Sequence, residues 1–139
     1  MISINIFAVL VSAVVAFVLG FMFHGPLLGK LWMKLANIHP TGNEKLSDMI
    51  PQMVGNLVSN IVTALVLAVI YRFVSTSPLS GGLGVWTGIM TAVLVWVGFL
   101  VPSSSIEVLW MGRSIRLWLF EAGCSLVVMV AMGAIIGSW

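Results

Sequence analysis

The stretch GVWTGIMTAVLVWVGFLVPSSSIEVLWMGRSIRLWLFEAGCSLVVMVAMGAIIGSW, residues 84–139, decides the fold. It holds two long apolar runs, folded back on each other at Gly112-Arg113-Ser114. Each run is long enough to cross a hydrocarbon core of about 30 Å, which takes about 20 helical residues. Two carboxylates, Glu107 and Glu121, stand where a bilayer normally excludes charge. Trp86 opens the first run as an interfacial aromatic. Pro102, together with Gly98, predicts a kink, and the serines at 103–105 are placed to take up freed backbone groups. The first run is expected to be helical over 84–110. The second is expected over 115–137, with Gly133 and Gly137 forming a GxxxG face.

The remainder of the chain has the same character. Of 139 residues, 60% are hydrophobic and 7% charged, against roughly 25% charged in soluble domains. Mean hydropathy is +1.17. This is the composition of an all-α integral membrane protein, and the length suits four spans in one domain. The apolar runs do not alternate, which excludes a β-barrel reading. Six scattered Lys and Arg, giving a net charge of +2, make no footprint for nucleic acid. The single cysteine, Cys124, can form no intrachain disulfide and reads as a small packing residue. Residues 1–5 lack the basic region and cleavage pattern of a signal peptide, so the first apolar run is expected to be a retained helix.

That first run, 4–23, carries Ser12, Ala16 and Gly20 at spacings of four, a small-residue face that lets another helix come close. His24-Gly25-Pro26 ends it, because the residue before proline is driven from the α region. Over 27–35, the apolar Leu27, Leu28, Leu31, Trp32 and Leu35 share one arc, with Lys30 and Lys34 opposite. The pattern predicts a short amphipathic helix lying in the membrane interface. A turn-rich break follows at 39–43, then the wet residues Glu44, Lys45 and Asp48. On the second span, 53–74, Asn56, Ser59, Asn60 and Thr63, with Gln52 just before it, lie within roughly 80° on a helical wheel. Amides facing lipid would stay unpaired, so this stripe is expected to face the bundle. It either glues helices together by hydrogen bonds or lines a small polar cavity. A linker rich in Ser, Gly and Pro occupies 75–82.

With four spans, Lys30, Lys34, Lys45, Arg113 and Arg116 share one side, against Arg72 on the other. The positive-inside rule then puts both connections in the cytoplasm and both termini in the periplasm. At a rise of about 1.5 Å per residue, Glu121 and Asn60 are level, both about 10 Å deep. A charge at the bilayer centre costs roughly 2.5 to 3.5 kcal/mol on the insertion scale, which the apolar residues of the last span offset. Such an acid marks a functional site by default. Glu121 is expected to meet Asn56, Asn60, or the basic groups of Arg113 or Arg116. Glu107 lies nearer the surface and reads as a solvated or Arg113-paired acid. His24 is a remote candidate for ligating a haem or chlorin, since no second histidine sits at helical spacing. No metal-ligand spacing, hydrolase motif or phosphate loop is present, so no metal, cofactor or catalytic residue is expected.

Several blocks carry a resemblance. His24-Gly25-Pro26-Leu27-Leu28-Gly29-Lys30-Leu31-Trp32-Met33-Lys34 follows the first span, and Gly98-Phe99 with Pro102 sits in the third. Gly112-Arg113-Ser114, Ala122-Gly123 and Met132-Gly133-Ala134-Ile135 with Gly137 complete the set. Together they resemble the small bacterial membrane proteins catalogued as domain-of-unknown-function family 1761, over essentially the whole chain. The resemblance implies a four-span bundle in a bacterial inner membrane and supplies no activity and no assigned catalytic residue.

Three functional expectations follow. The first is an interaction protein that self-associates or serves as an accessory subunit of a larger membrane complex. The second is an oligomeric transporter or proton-linked permease using Glu121 and the stripe on the second span. The third, an enzyme acting on lipids, has only the two acids behind it.

Overall fold

The structure, a computed structural model, describes residues 3–78 and 81–139. Met1, Ile2 and two residues of the expected linker, Leu79 and Ser80, lie outside that range. Among the described residues, six α-helices are formed: α1 (Ile6–His24), α2 (Gly29–Ala36), α3 (Leu46–Ser75), α4 (Val85–Val95), α5 (Val101–Met111) and α6 (Ile115–Ser138). A π-helical turn, Trp96–Leu100, joins α4 to α5. Four helical segments are long and apolar enough to cross a membrane: α1, α3, the continuous Val85–Met111 and α6.

Helix α1 starts two residues later than the hydropathy suggests because Asn5 caps it. Its Oδ1 accepts from the backbone N–H of Phe7 (3.0 Å) and Ala8 (3.3 Å), groups that have no partner within the helix. Helix α3 begins at Leu46 instead of 53, so Pro51 lies inside it. The ring deprives one carbonyl, a turn earlier, of its donor, but the helix is exposed from Leu46 to Gln52, so that group is not buried without a partner. Helix α5 ends at Gly112, whose φ of 67° is a left-handed conformation that glycine adopts without strain.

The expected break at Pro102 is accommodated one turn earlier. Pro102 cannot donate to the carbonyl of Gly98 and crowds it. The ladder widens over Trp96–Leu100, and the Val101 N–H bonds to the Trp96 carbonyl. Ser103 Oγ donates to the Phe99 carbonyl (2.6 Å), while Ser104 and Ser105 bond back to Val101 and Pro102.

Helices α1, α3, α4 and α6 touch in a closed ring: α1 against α3 and α6, α4 against α3 and α6. Packing is concentrated at one end of it. The buried residues of α1 are Ala8, Val9, Ser12, Ala13 and Ala16; those of α3 are Ala64, Leu67, Ala68 and Tyr71. Those of α4 lie in its first two turns and, Leu117 apart, those of α6 in its last three, while α5 and the π-turn have none. Since neighbouring spans run antiparallel, all these segments meet at the end carrying the α3–α4 connection and the termini. The other end, which carries α2 and the Gly112 turn, is splayed.

Glycine makes the tight end possible. A Cβ on Gly88 would collide with the Gly133 backbone, one on Gly133 with the Gly88 carbonyl, and one on Gly137 would lie 2.6 Å from the Gly84 carbonyl oxygen. The GxxxG face of α6 therefore meets Gly84 and Gly88, backbone on backbone. Ser12 and Ala16 are buried against the same core, and the Ser12 hydroxyl donates to the Val9 carbonyl (2.9 Å). Gly20 differs from the close-approach role its spacing suggests: a Cβ there meets nothing within 4 Å. It faces a cavity, because the helices have already parted at its level. The outer faces remain apolar, with Phe7, Leu10, Val14, Val18 and Phe21 exposed along α1. A bilayer accepts such a surface and water does not.

Candidate functional site: a polar cavity at Glu121

Where the helices part, a cavity of about 250 Å³ opens between α1, α3 and α6. Helix α3 contributes Asn56, Asn60 and Thr63, and α6 contributes Glu121, Cys124 and Ser125. These sit opposite Gly20 and His24 of α1. Asn56 and Asn60 are one turn apart, and the Asn60 Nδ2 donates to Asn56 Oδ1 (3.1 Å). Ser59, the other stripe residue, is exposed and does not line the cavity. Its Cα lies beyond the arc that Asn56, Asn60 and Thr63 turn inward.

Glu121 is met by Arg113. One guanidinium nitrogen lies 3.2 Å from Oε2 and the other donates to Oε1 at 3.3 Å, a two-point fork that fixes both groups. The same guanidinium also pairs with Glu107, and the Arg113 backbone N–H bonds to the Glu107 carbonyl at 3.1 Å. The Glu107 contact, backed by the Coulomb pull of Glu121, holds the Arg113 pKa above its ordinary value, so this cation persists at any physiological pH. Two carboxylates therefore share one guanidinium. Arg116 is exposed and enters no ion pair among the described residues.

The indole of Trp96, aimed by the π-turn, donates to Ser125 Oγ (2.9 Å) and the Ala122 carbonyl (3.2 Å). That ties the third span to the cavity wall one turn beyond Glu121. Trp118 donates to Ser104 Oγ (3.0 Å) between α6 and α5. Ser125 did not stand out in the sequence, although it follows Glu121 by four residues and so shares its helix face.

A second cavity, about 640 Å³, adjoins the first at Gly20, His24 and Asn56. Its walls are largely apolar, formed by Phe17, Phe21, Trp32, Met49 and Met53. His24 stands at the junction. Its Nδ1 donates to the Gly20 carbonyl (2.9 Å), and its ring edges against Trp32 and Phe120 at centroid distances of 5.3 and 6.3 Å. Among the described residues, no group of three or more His, Cys, Asp or Glu is placed to hold a metal ion. Helix α2 leaves Lys30 and Lys34 exposed while Trp32 turns toward His24. A third cavity, about 450 Å³, lies at the tight end beside Arg72 and Tyr71, with no acid in its lining.

The family described as Protein of unknown function (DUF1761) matches residues 7–137. The chain belongs to this family. Both adjoining cavities lie wholly within the DUF1761 region, so they are built from the family's own helices. No curated protein and no solved structure matches the chain.

Proposed function

We propose that the protein is an oligomeric membrane carrier that moves a small solute through the cavity at Glu121. The observation that carries this reading is the placement of the stripe residues Asn56, Asn60 and Thr63 in one cavity with Glu121. That cavity is closed off by the glycine-packed end of the bundle and widens toward the other. A polar recess blocked at one end is what an alternating-access carrier presents in one of its two states. Charge asymmetry supports an orientation with the splayed end in the cytoplasm, α2 in the interface and both termini periplasmic, and the family supports a bacterial inner membrane. Four spans are few for a monomeric carrier, so a second copy is expected to complete the path.

The test is uptake into proteoliposomes of a labelled panel of small amines, carboxylates and zwitterions under an imposed pH gradient. At least one solute should enter saturably with wild-type protein and fail with Glu121→Gln. If no solute shows protein-dependent uptake, or each enters equally with the variant, the carrier reading is wrong.

A second reading, an interaction subunit that self-associates or serves a larger membrane complex, is favoured by Ser59. It is exposed on α3, where lipid offers no hydrogen bonds. The small-residue faces of α1 and α6 lend it less support, since Ser12, Ala16, Gly133 and Gly137 are buried within the single chain. Disulfide trapping of Ser59→Cys, with Cys124→Ala, separates the two: a trapped homodimer without solute uptake favours the subunit reading.

A further inference from the structure

We propose that the two adjoining cavities form one binding site for a monovalent organic cation with an apolar or aromatic body. This inference deepens the carrier reading and rests on it for the site's use, but the binding chemistry stands on the cavity alone.

The two lobes meet at Gly20, His24 and Asn56 and differ in their walls. The inner lobe, about 250 Å³, presents Glu121, Asn60 and Thr63 among apolar residues such as Phe23, Leu100 and Met132, and it is the one of the two that bears a carboxylate. The outer lobe, about 640 Å³, presents Phe17, Phe21, Trp32 and two methionines. A molecule filling both needs a polar head at Glu121 and a hydrophobic body beyond Asn56. Methionines suit a body of variable shape, because the thioether side chain is flexible and polarizable.

The sign of the head follows from the charges around it. Arg113 answers Glu107 and Glu121 together, so this triad of one guanidinium and two carboxylates carries a formal charge of −1, with Glu121 its member on the wall of the inner lobe. A carboxylate has about four acceptor positions, of which the Arg113 fork uses two on Glu121. Asn60 gives one of its two amide N–H groups to Asn56 and keeps its carbonyl oxygen as an acceptor, so the pair can still both accept and donate. Glu121 therefore offers open acceptor positions and a share of the triad's excess negative charge in a setting where water screens poorly, beside amides that can donate or accept. The aromatic walls add to the attraction, since ring faces favour cations. An anion would meet the Glu121 carboxylate as repulsion. The exposed Lys30, Lys34 and Arg116 line neither lobe.

The test measures saturable binding of radiolabelled tetraphenylphosphonium by equilibrium dialysis. The protein is held in nanodiscs of zwitterionic phosphatidylcholine, with empty nanodiscs subtracted. Tetraphenylborate, of the same shape and opposite charge, is the control. Wild type should bind the cation saturably and show no saturable binding of the anion. Glu121→Gln should weaken cation binding about tenfold or more, because it removes the Coulombic partner of the bound charge in a poorly screened site. Gly20→Leu should abolish it, by filling the junction from a position where an added Cβ meets no neighbour. Both variants are checked for folding by their helical melting transition.

Absence of saturable cation binding by wild type, equal binding of the borate, or unchanged affinity in either folded variant overturns the assignment. The outcome is distinct from that of the uptake panel. Cation binding without any uptake keeps this site and removes the carrier. Glu121-dependent uptake confined to anions or neutral solutes, without cation binding, does the reverse.

Discussion

Glu121 and Gly133 lie on the same helix and show how differently two positions can be constrained. Glu121 is held by a flexible partner, Arg113, reaching up from the turn, and keeps a surface toward a cavity. Gly133 is held by backbone, because the Gly88 carbonyl occupies the space of a side chain. Spacing alone made Gly20 and Gly133 look alike, since each belongs to a run of small residues four apart. They should respond in opposite ways. Gly133→Ala forces two helices apart and should cost about 1–3 kcal/mol, as overpacking does. Gly20→Ala should be neutral or stabilising by up to roughly 1 kcal/mol, since alanine favours helix and nothing obstructs it. Reversible unfolding of each variant in mixed micelles reads both values, and equal destabilisation would contradict the glycine contact.

The third span shows how one proline can reorganise a helix at a distance. Pro102 announces a disturbance, but the widened turn falls at Trp96–Leu100 and its consequence at Trp96, whose indole turns onto Ser125 and Ala122. A π-turn has no strong local signature, which is why only the proline was legible. Trp96→Phe keeps a six-membered aromatic ring and removes the donor together with the pyrrole half of the indole, so it should cost at least about 1 kcal/mol. The loss should appear in the same unfolding measurement, and Ser125→Ala should recover part of it in the double variant, because the two then share one missing bond. Fully additive losses would mean that the indole and the serine act independently. Helix α3 makes a related point. Its start at Leu46 passed through Pro51 because that turn is wet, and a hydropathy boundary cannot see a helix that continues into water.

Taken whole, the bundle is tight at one end and open at the other, and its one cysteine reports on the difference. Cys124 lines the cavity, whereas Thr91 is 1% exposed in the packed end. A small membrane-impermeant thiol reagent should label Cys124 in the wild type and, with Cys124 replaced by Ala, Asn60→Cys. It should spare Thr91→Cys, and the reactive side should be the one bearing Lys30 and Arg113. Equal labelling of positions 60 and 91 would refute a bundle closed at one end.

Composition, apolar run length and turn residues by themselves determined an all-α membrane chain with four spans, a short helix after Pro26 and a buried-acid problem at Glu121. Those properties depend on transfer from water and on backbone bonding within one segment, both of which are local. The stripe on α3 was legible for the same reason, as a periodicity within one helix. Only the tertiary structure decided that Asn56, Asn60 and Thr63 share a cavity with Glu121 while Ser59 does not, and that Gly84 and Gly88 are the partners of Gly133 and Gly137. Such pairings depend on how far apart neighbouring helices lie at each level. That spacing is set by the summed packing of all four spans and is not encoded in any one of them.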